Sequence, residues 1–131
     1  MKRFIFAILA LVVLLMIGGL LAPTGRAKTS TKQSVVVEFP EKVKLLNVVL
    51  KGEYVLVHDE EMMARGEACT YVYTSMSGQP GSLVVSFHCQ PAERKKADRF
   101  TLVTTRLLPD LLELQEYQFA GSTEGHRVPK S

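Results

Sequence analysis

Five side chains in this sequence could do metal or redox chemistry: His58, His88, His126, Cys69 and Cys89, which are all of its histidines and cysteines. Neutral imidazoles that converge are good ligands for zinc or copper. Met62 and Met63 would add soft thioethers if copper(I) were the guest. No H-x-x-x-H or C-x-x-C spacing is present, so nothing local brings these groups together and any site must be assembled by the fold. The competing reading is that each histidine is a polar residue finishing a strand and hydrogen-bonded nearby. The cysteines also carry a choice. Joined as a disulfide they are lost as thiolate ligands, whereas a reduced Cys89 beside His88 would be a metal or redox thiol.

The elements that must position these residues centre on Glu67 to Cys89, EACTYVYTSMSGQPGSLVVSFHC. It reads as two strands around a Gly/Pro/Ser turn at Gln79, with a cysteine at each open end. Placing Cys69 opposite Cys89 sets Tyr71 against Phe87, Tyr73 against Val85 and Thr70 against His88. Cys69, Tyr71, Tyr73, Val85, Phe87 and Cys89 then share one face, which is expected to be the core. Facing cysteines are close enough to bridge, and a Cys69–Cys89 disulfide is expected.

Lys28 to Ser34 reads as a flexible lead-in. Ser34 to Phe39 reads as a β-branched strand that Pro40 ends or marks as an edge. Lys42 to Asp59 reads as a hairpin turning at Lys51-Gly52. Leu46, Val48, Leu50, Val55 and Val57 lie on one of its faces, and Leu45, Val49, Tyr54 and Leu56 on the other. A hairpin apolar on both faces belongs between two layers or in an interface. Glu60 to Gly66 is predicted to be one helical turn ended by Gly66. Gln90 to Asp98 is read as a charged loop whose Arg94-Lys95-Lys96 run is solvated. Arg99 to Leu107 and Leu111 to Ala120 are read as strands joined at Pro109-Asp110. From Gly121 the chain is polar and reads as a tail. The class is all-β, a small antiparallel sandwich or partly open barrel of five to six strands. If consecutive strands pair up and down, His58, His88 and His126 arrive at one pole with Cys69 and Cys89.

Compartment is read from the first 27 residues. Lys2 and Arg3 precede FIFAILALVVLLMIGGLL, and Gly25-Arg26-Ala27 offers small residues before a cut after Ala27. This is the pattern of a hydrophobic signal helix, and an uncut membrane anchor is the alternative. The organisation expected is 1–27 signal, 28–34 lead-in, 35–121 β-domain and 122–131 tail. Lys2, Arg3 and Arg26 account for the excess of 16 basic over 13 acidic residues, so the exported part is neutral. That balance gives no reason to expect a nucleic-acid partner. Two cysteines in an oxidising compartment point to one disulfide. No G-x-S-x-G elbow or glycine-rich phosphate loop occurs, and Ser75, Ser77 and Ser82 are read as turn residues. The stripe of Tyr71, Tyr73 and Phe87 reads as core before it reads as a stacking platform for sugar or peptide.

The run GEYVLVHDEEMMARGEACTYVY, with LVVSFHCQPAE and FAGSTEGHRVP, resembles a family of small, uncharacterised exported bacterial proteins. The resemblance spans about Gly52 to Pro129. It implies export and a shared fold, and it brings no activity or site residues. Together these readings predict a periplasmic or secreted, disulfide-stapled domain of the cell envelope that acts by binding rather than catalysis. Its partner would be a protein or envelope component held on the second apolar face of Lys42–Asp59. The alternative is a copper- or zinc-binding or redox protein using His58, His88 and His126. Contact with a membrane is expected only through an uncut leader.

Overall fold

A computed structural model describes residues 32–130. The predicted signal helix, its cleavage point and residues 28–31 lie outside the described residues. The rest is one eight-stranded sheet: β1 (Lys32–Leu45), β2 (Val48–Asp59), β3 (Thr70–Met76), β4 (Gln79–Phe87), β5 (Gln90–Glu93), β6 (Thr101–Leu108), β7 (Leu111–Gln118) and β8 (Glu124–Arg127), with one short helix, α1 (Glu60–Ala64). The strands run in the order β4-β3-β2-β1-β7-β8-β5, and β6 pairs the opposite edge of β7. All pairings are antiparallel except β1 with β7, parallel at Val43–Leu112 and Lys44–Glu113. The sheet curls strongly into a half-barrel. Its end strands, β4 and β5, are consecutive in the chain, so His88 and Cys89 alone join the two ends of the sheet.

The all-β expectation holds, but the strand count does not. Five or six strands become eight because Gln90–Glu93 is a strand rather than a loop, and Glu124–Arg127 is a strand within the expected tail. Lys32–Ser34, assigned to the lead-in, already pairs with β2 at Asp59, His58 and Val57. The β-domain therefore runs beyond 35–121 at both ends.

Pro40 does not end the first strand. Phe39 pairs with Gly52 and Val43 with Leu50, which leaves Pro40, Glu41 and Lys42 opposite Lys51 alone. Proline lacks an N–H to give the ladder, so it sits where the ladder is already broken. Gly52 has φ +93; its unusual backbone serves this bulge, and the turn falls instead at Leu46-Asn47.

The cysteine hairpin is also displaced. Ser77 and Gly78 both have positive φ, 52° and 82°, the conformation that closes a two-residue hairpin with the twist its strands need. The turn thus precedes Gln79, and bulges between Val72 and Ser75 adjust the ladder. Thr70 faces Phe87, Tyr71 faces Ser86 and Val72 faces Val85. A one-residue slip exchanges the faces of a strand. Val72 and Thr70 are buried, while Tyr71 and Tyr73 are half-buried on the outer side. The β4 face is as expected, with Val85 and Phe87 in the core.

Inside the curl, Leu45, Leu50, Leu56, Val72, Leu114 and Tyr117 are fully buried. A bulge in β7, where Val103 pairs with Glu116 but Thr104 with Leu114, changes which residues point inward. Leu112 and Leu114 pack on the core before it, Tyr117 and Phe119 after it. The displaced Glu116 is held by Arg94 through Nε at 2.9 Å and Nη2 at 2.6 Å, so the 94–96 run is not simply a solvated surface. Gly125 of β8 permits this approach: a Cβ there would lie 2.8 Å from the Glu116 carboxylate.

Candidate metal centre

His58 is the last residue but one of β2 and lies on its inner face, since it pairs with the buried Thr70. Asp59 then ends the strand. Its carboxylate accepts from the backbone N–H groups of Glu61 at 3.1 Å and Met62 at 3.2 Å, which starts α1. Gly66, with φ +80, lets the chain turn back after the helix. The Asp59 N–H donates to the Cys69 carbonyl at 2.8 Å. This excursion therefore returns Cys69 beside His58, and Asp59 is a cap rather than a catalytic partner of its neighbour.

Cys69 and Cys89 form the disulfide, with Cα atoms 6.1 Å apart. Both lie just past the last ladder pair of β3 and β4, and the Cys69 N–H donates to the Phe87 carbonyl at 3.2 Å. The bond thus survives the register slip, because it forms beyond the region where the slip operates. It sits at the point where the chain closes the curl.

His126 comes from β8, between Tyr117 of β7 and Pro91 of β5. Its Nδ1 is 3.7 Å from Cys89 Sγ and 3.6 Å from a Glu124 carboxylate oxygen. Its ring lies 4.1 Å from that of His58 and stacks on Tyr117 at 4.9 Å. Tyr117 in turn shares a 2.5 Å hydrogen bond with the Thr70 hydroxyl. Ligand atoms of His58, Cys69 and Cys89 all fall within 4.8 Å of one another.

Two of the three predicted histidines are therefore brought together with both cysteines. His88 is not among them. It stands between the inward Phe87 and Cys89, so alternation turns it to solvent, where it is exposed. Met62 and Met63 stay with α1: the Met62 sulfur accepts from Arg65 Nη2 at 2.6 Å, and Met63 is exposed. Tyr117 and Thr70 belong to the site although nothing beyond aromatic and strand propensity marked them in the sequence. The turn serine behaves as expected: Ser75 Oγ accepts from the Gly78 N–H at 3.0 Å.

The electrostatics favour neutral rings. Burial pushes His58 below the usual histidine range, against the pull of Glu60, Glu124 and Asp59. Burial, then the neighbouring His58, lowers His126 to about 4. Burial raises the Tyr117 hydroxyl. A neutral imidazole keeps a lone pair for a metal. His58 has no exposed surface, and neither ring nitrogen finds a hydrogen-bond partner among the described residues. Leaving a buried polar atom unpaired costs about 1–3 kcal/mol, so this ring is poorly explained as a packing residue.

Comparison of the chain with protein-family models, curated proteins and solved structures gives no match. The function must therefore be argued from the site.

Proposed function

We propose that this is an exported, disulfide-stapled β-domain of the cell envelope that acts by binding, and that its ligand is a zinc or copper ion received at the pole by His58 and His126. The observation that carries this reading is His58: fully buried, with two unpaired ring nitrogens, 4.1 Å from a second buried imidazole. Export is supported by the leader pattern and by the disulfide, which persists in oxidising compartments. The resemblance to small exported bacterial proteins accords with it.

The apolar surface suggested for a protein partner gives less support. Leu45 and Leu56 of that face lie in the core, and of the four residues only Val49 is largely exposed. They do not form a continuous patch that a partner could cover.

The reading predicts that one equivalent of zinc shifts the ring signals of His58 and His126 in the NMR spectrum, in at least one thiol state of the protein, and leaves His88 unchanged. Shifts confined to His88, or none at all, would contradict it.

A further inference from the structure

We infer that the pole is a redox-gated Cys2His2 site: reducing the Cys69–Cys89 disulfide adds two thiolates to His58 and His126 and completes a four-ligand zinc shell. This rests on the metal reading above and adds its ligand set and its control.

The geometry supplies the argument. Zinc in a closed site takes four tetrahedral ligands, with Zn–N about 2.0 Å and Zn–S about 2.3 Å, which places neighbouring ligand atoms roughly 3.3–3.8 Å apart. The His58, Cys69 and Cys89 ligand atoms already lie within 4.8 Å of each other, and His126 Nδ1 is 3.7 Å from Cys89 Sγ. Two movements complete the shell: the sulfurs separate, which cysteines with Cα atoms 6.1 Å apart can do by side-chain rotation, and the His126 ring, now stacked on His58, turns its nitrogen toward the other three ligand atoms. All four residues sit on secured backbone: His58 in β2, His126 in β8, Cys69 tied to Asp59, and Cys89 in the two-residue link between β4 and β5. While the sulfurs are bonded to each other they are not thiolates, and only two imidazoles face the ion. Two ligands make a weak zinc site and four a strong one.

A dithiol can serve as the reductant. Its thiolate attacks Cys89, the less deeply buried of the two residues, 9% exposed against 1% for Cys69. The Cys69–Cys89 bond breaks and a mixed disulfide forms. The reductant's second thiol then displaces Cys89, leaving two cysteine thiols here and a disulfide on the reductant. Binding Zn2+ expels the two thiol protons to solvent. Exchange with a disulfide oxidant reverses both steps: the Cys69–Cys89 bond re-forms, the oxidant leaves as its dithiol, and the ion, having lost both thiolates, is released, so the domain takes up or gives up zinc according to its redox surroundings.

The test compares the protein in its oxidised form with the protein reduced by a phosphine, using cobalt(II) as a spectroscopic probe and zinc as competitor. The reduced protein is expected to bind one equivalent, with thiolate-to-cobalt charge-transfer absorption, and about 100-fold or more tighter than the oxidised protein, which lacks that absorption. Equal affinity in both states, or a reduced complex without the charge-transfer band, overturns the gating. If His58 and His126 ring signals still respond to zinc, the metal reading stands without it. Binding in neither state removes both. Should reduction loosen the fold, zinc is expected to restore the melting midpoint of the reduced protein, and failure to restore it overturns the gating equally.

Discussion

Replacing Cys69 and Cys89 together by serine is expected to destabilise the domain by about 3 kcal/mol and to lower its melting midpoint by roughly 10–20 °C. The two residues are 20 apart in sequence, and a cross-link of that span removes about this much loop entropy from the unfolded chain. Its position strengthens the expectation. The bond lies where β4 passes into β5, the strands at the two ends of the sheet order. It fastens that link to the start of β3. Two buried hydroxyls in place of the sulfurs would add a desolvation cost in the same direction. Thermal unfolding of wild type and double variant, both metal-free, measures the effect. A midpoint that barely moves would mean that the bridge does not hold the curl closed.

Acidification of the metal-free protein is the second large effect. The histidine reference value is 6.5, and folding lowers His126 to about 4. Between these values the unfolded chain binds a proton that the folded protein refuses, so stability rises with pH across this window and falls as pH drops. For His126 the full loss is about 3 kcal/mol, of which about 2 kcal/mol is already gone at pH 5. His58 is lowered by burial as well and acts in the same direction. Urea unfolding at pH 7 and pH 5 reads this before most carboxylates titrate. The slope should flatten in His126→Ala. Equal stability at the two pH values would show that these rings are not held neutral in the fold.

Much of the site was legible because it depends on strand ends. The pattern that read as a secretory leader made a disulfide the natural state of two cysteines, and Cys69 and Cys89 pair irrespective of register. His58 closes a strongly apolar strand and comes inward with Leu56 by alternation. The misplaced hairpin turn exchanged the faces of β3 and so moved Tyr71 and Tyr73, whereas the β4 face stands as expected and His88 misses the pole by simple alternation. Ser77-Gly78, not Gln79, makes that turn. Because Cys89 stays inward, its neighbour must face out. His126 reached the pole by a route not foreseen. Simple up-and-down pairing fails where β1 meets β7 in parallel, and β8 and β5 then bring the chain back. Those two strands have only four residues each, QPAE and EGHR. They carry no apolar alternation, so only their partners make them strands. Likewise Gly52 and Pro40 signal irregular backbone in the sequence, and only the β1–β2 register shows that a bulge uses both.

The most direct measurement is anomalous diffraction at the zinc edge from crystals of the reduced protein grown with one equivalent of zinc. The account predicts a single strong peak between His58 and His126 in contact with the sulfurs of Cys69 and Cys89. A peak at the exposed His88, or no peak within the curl, would contradict it.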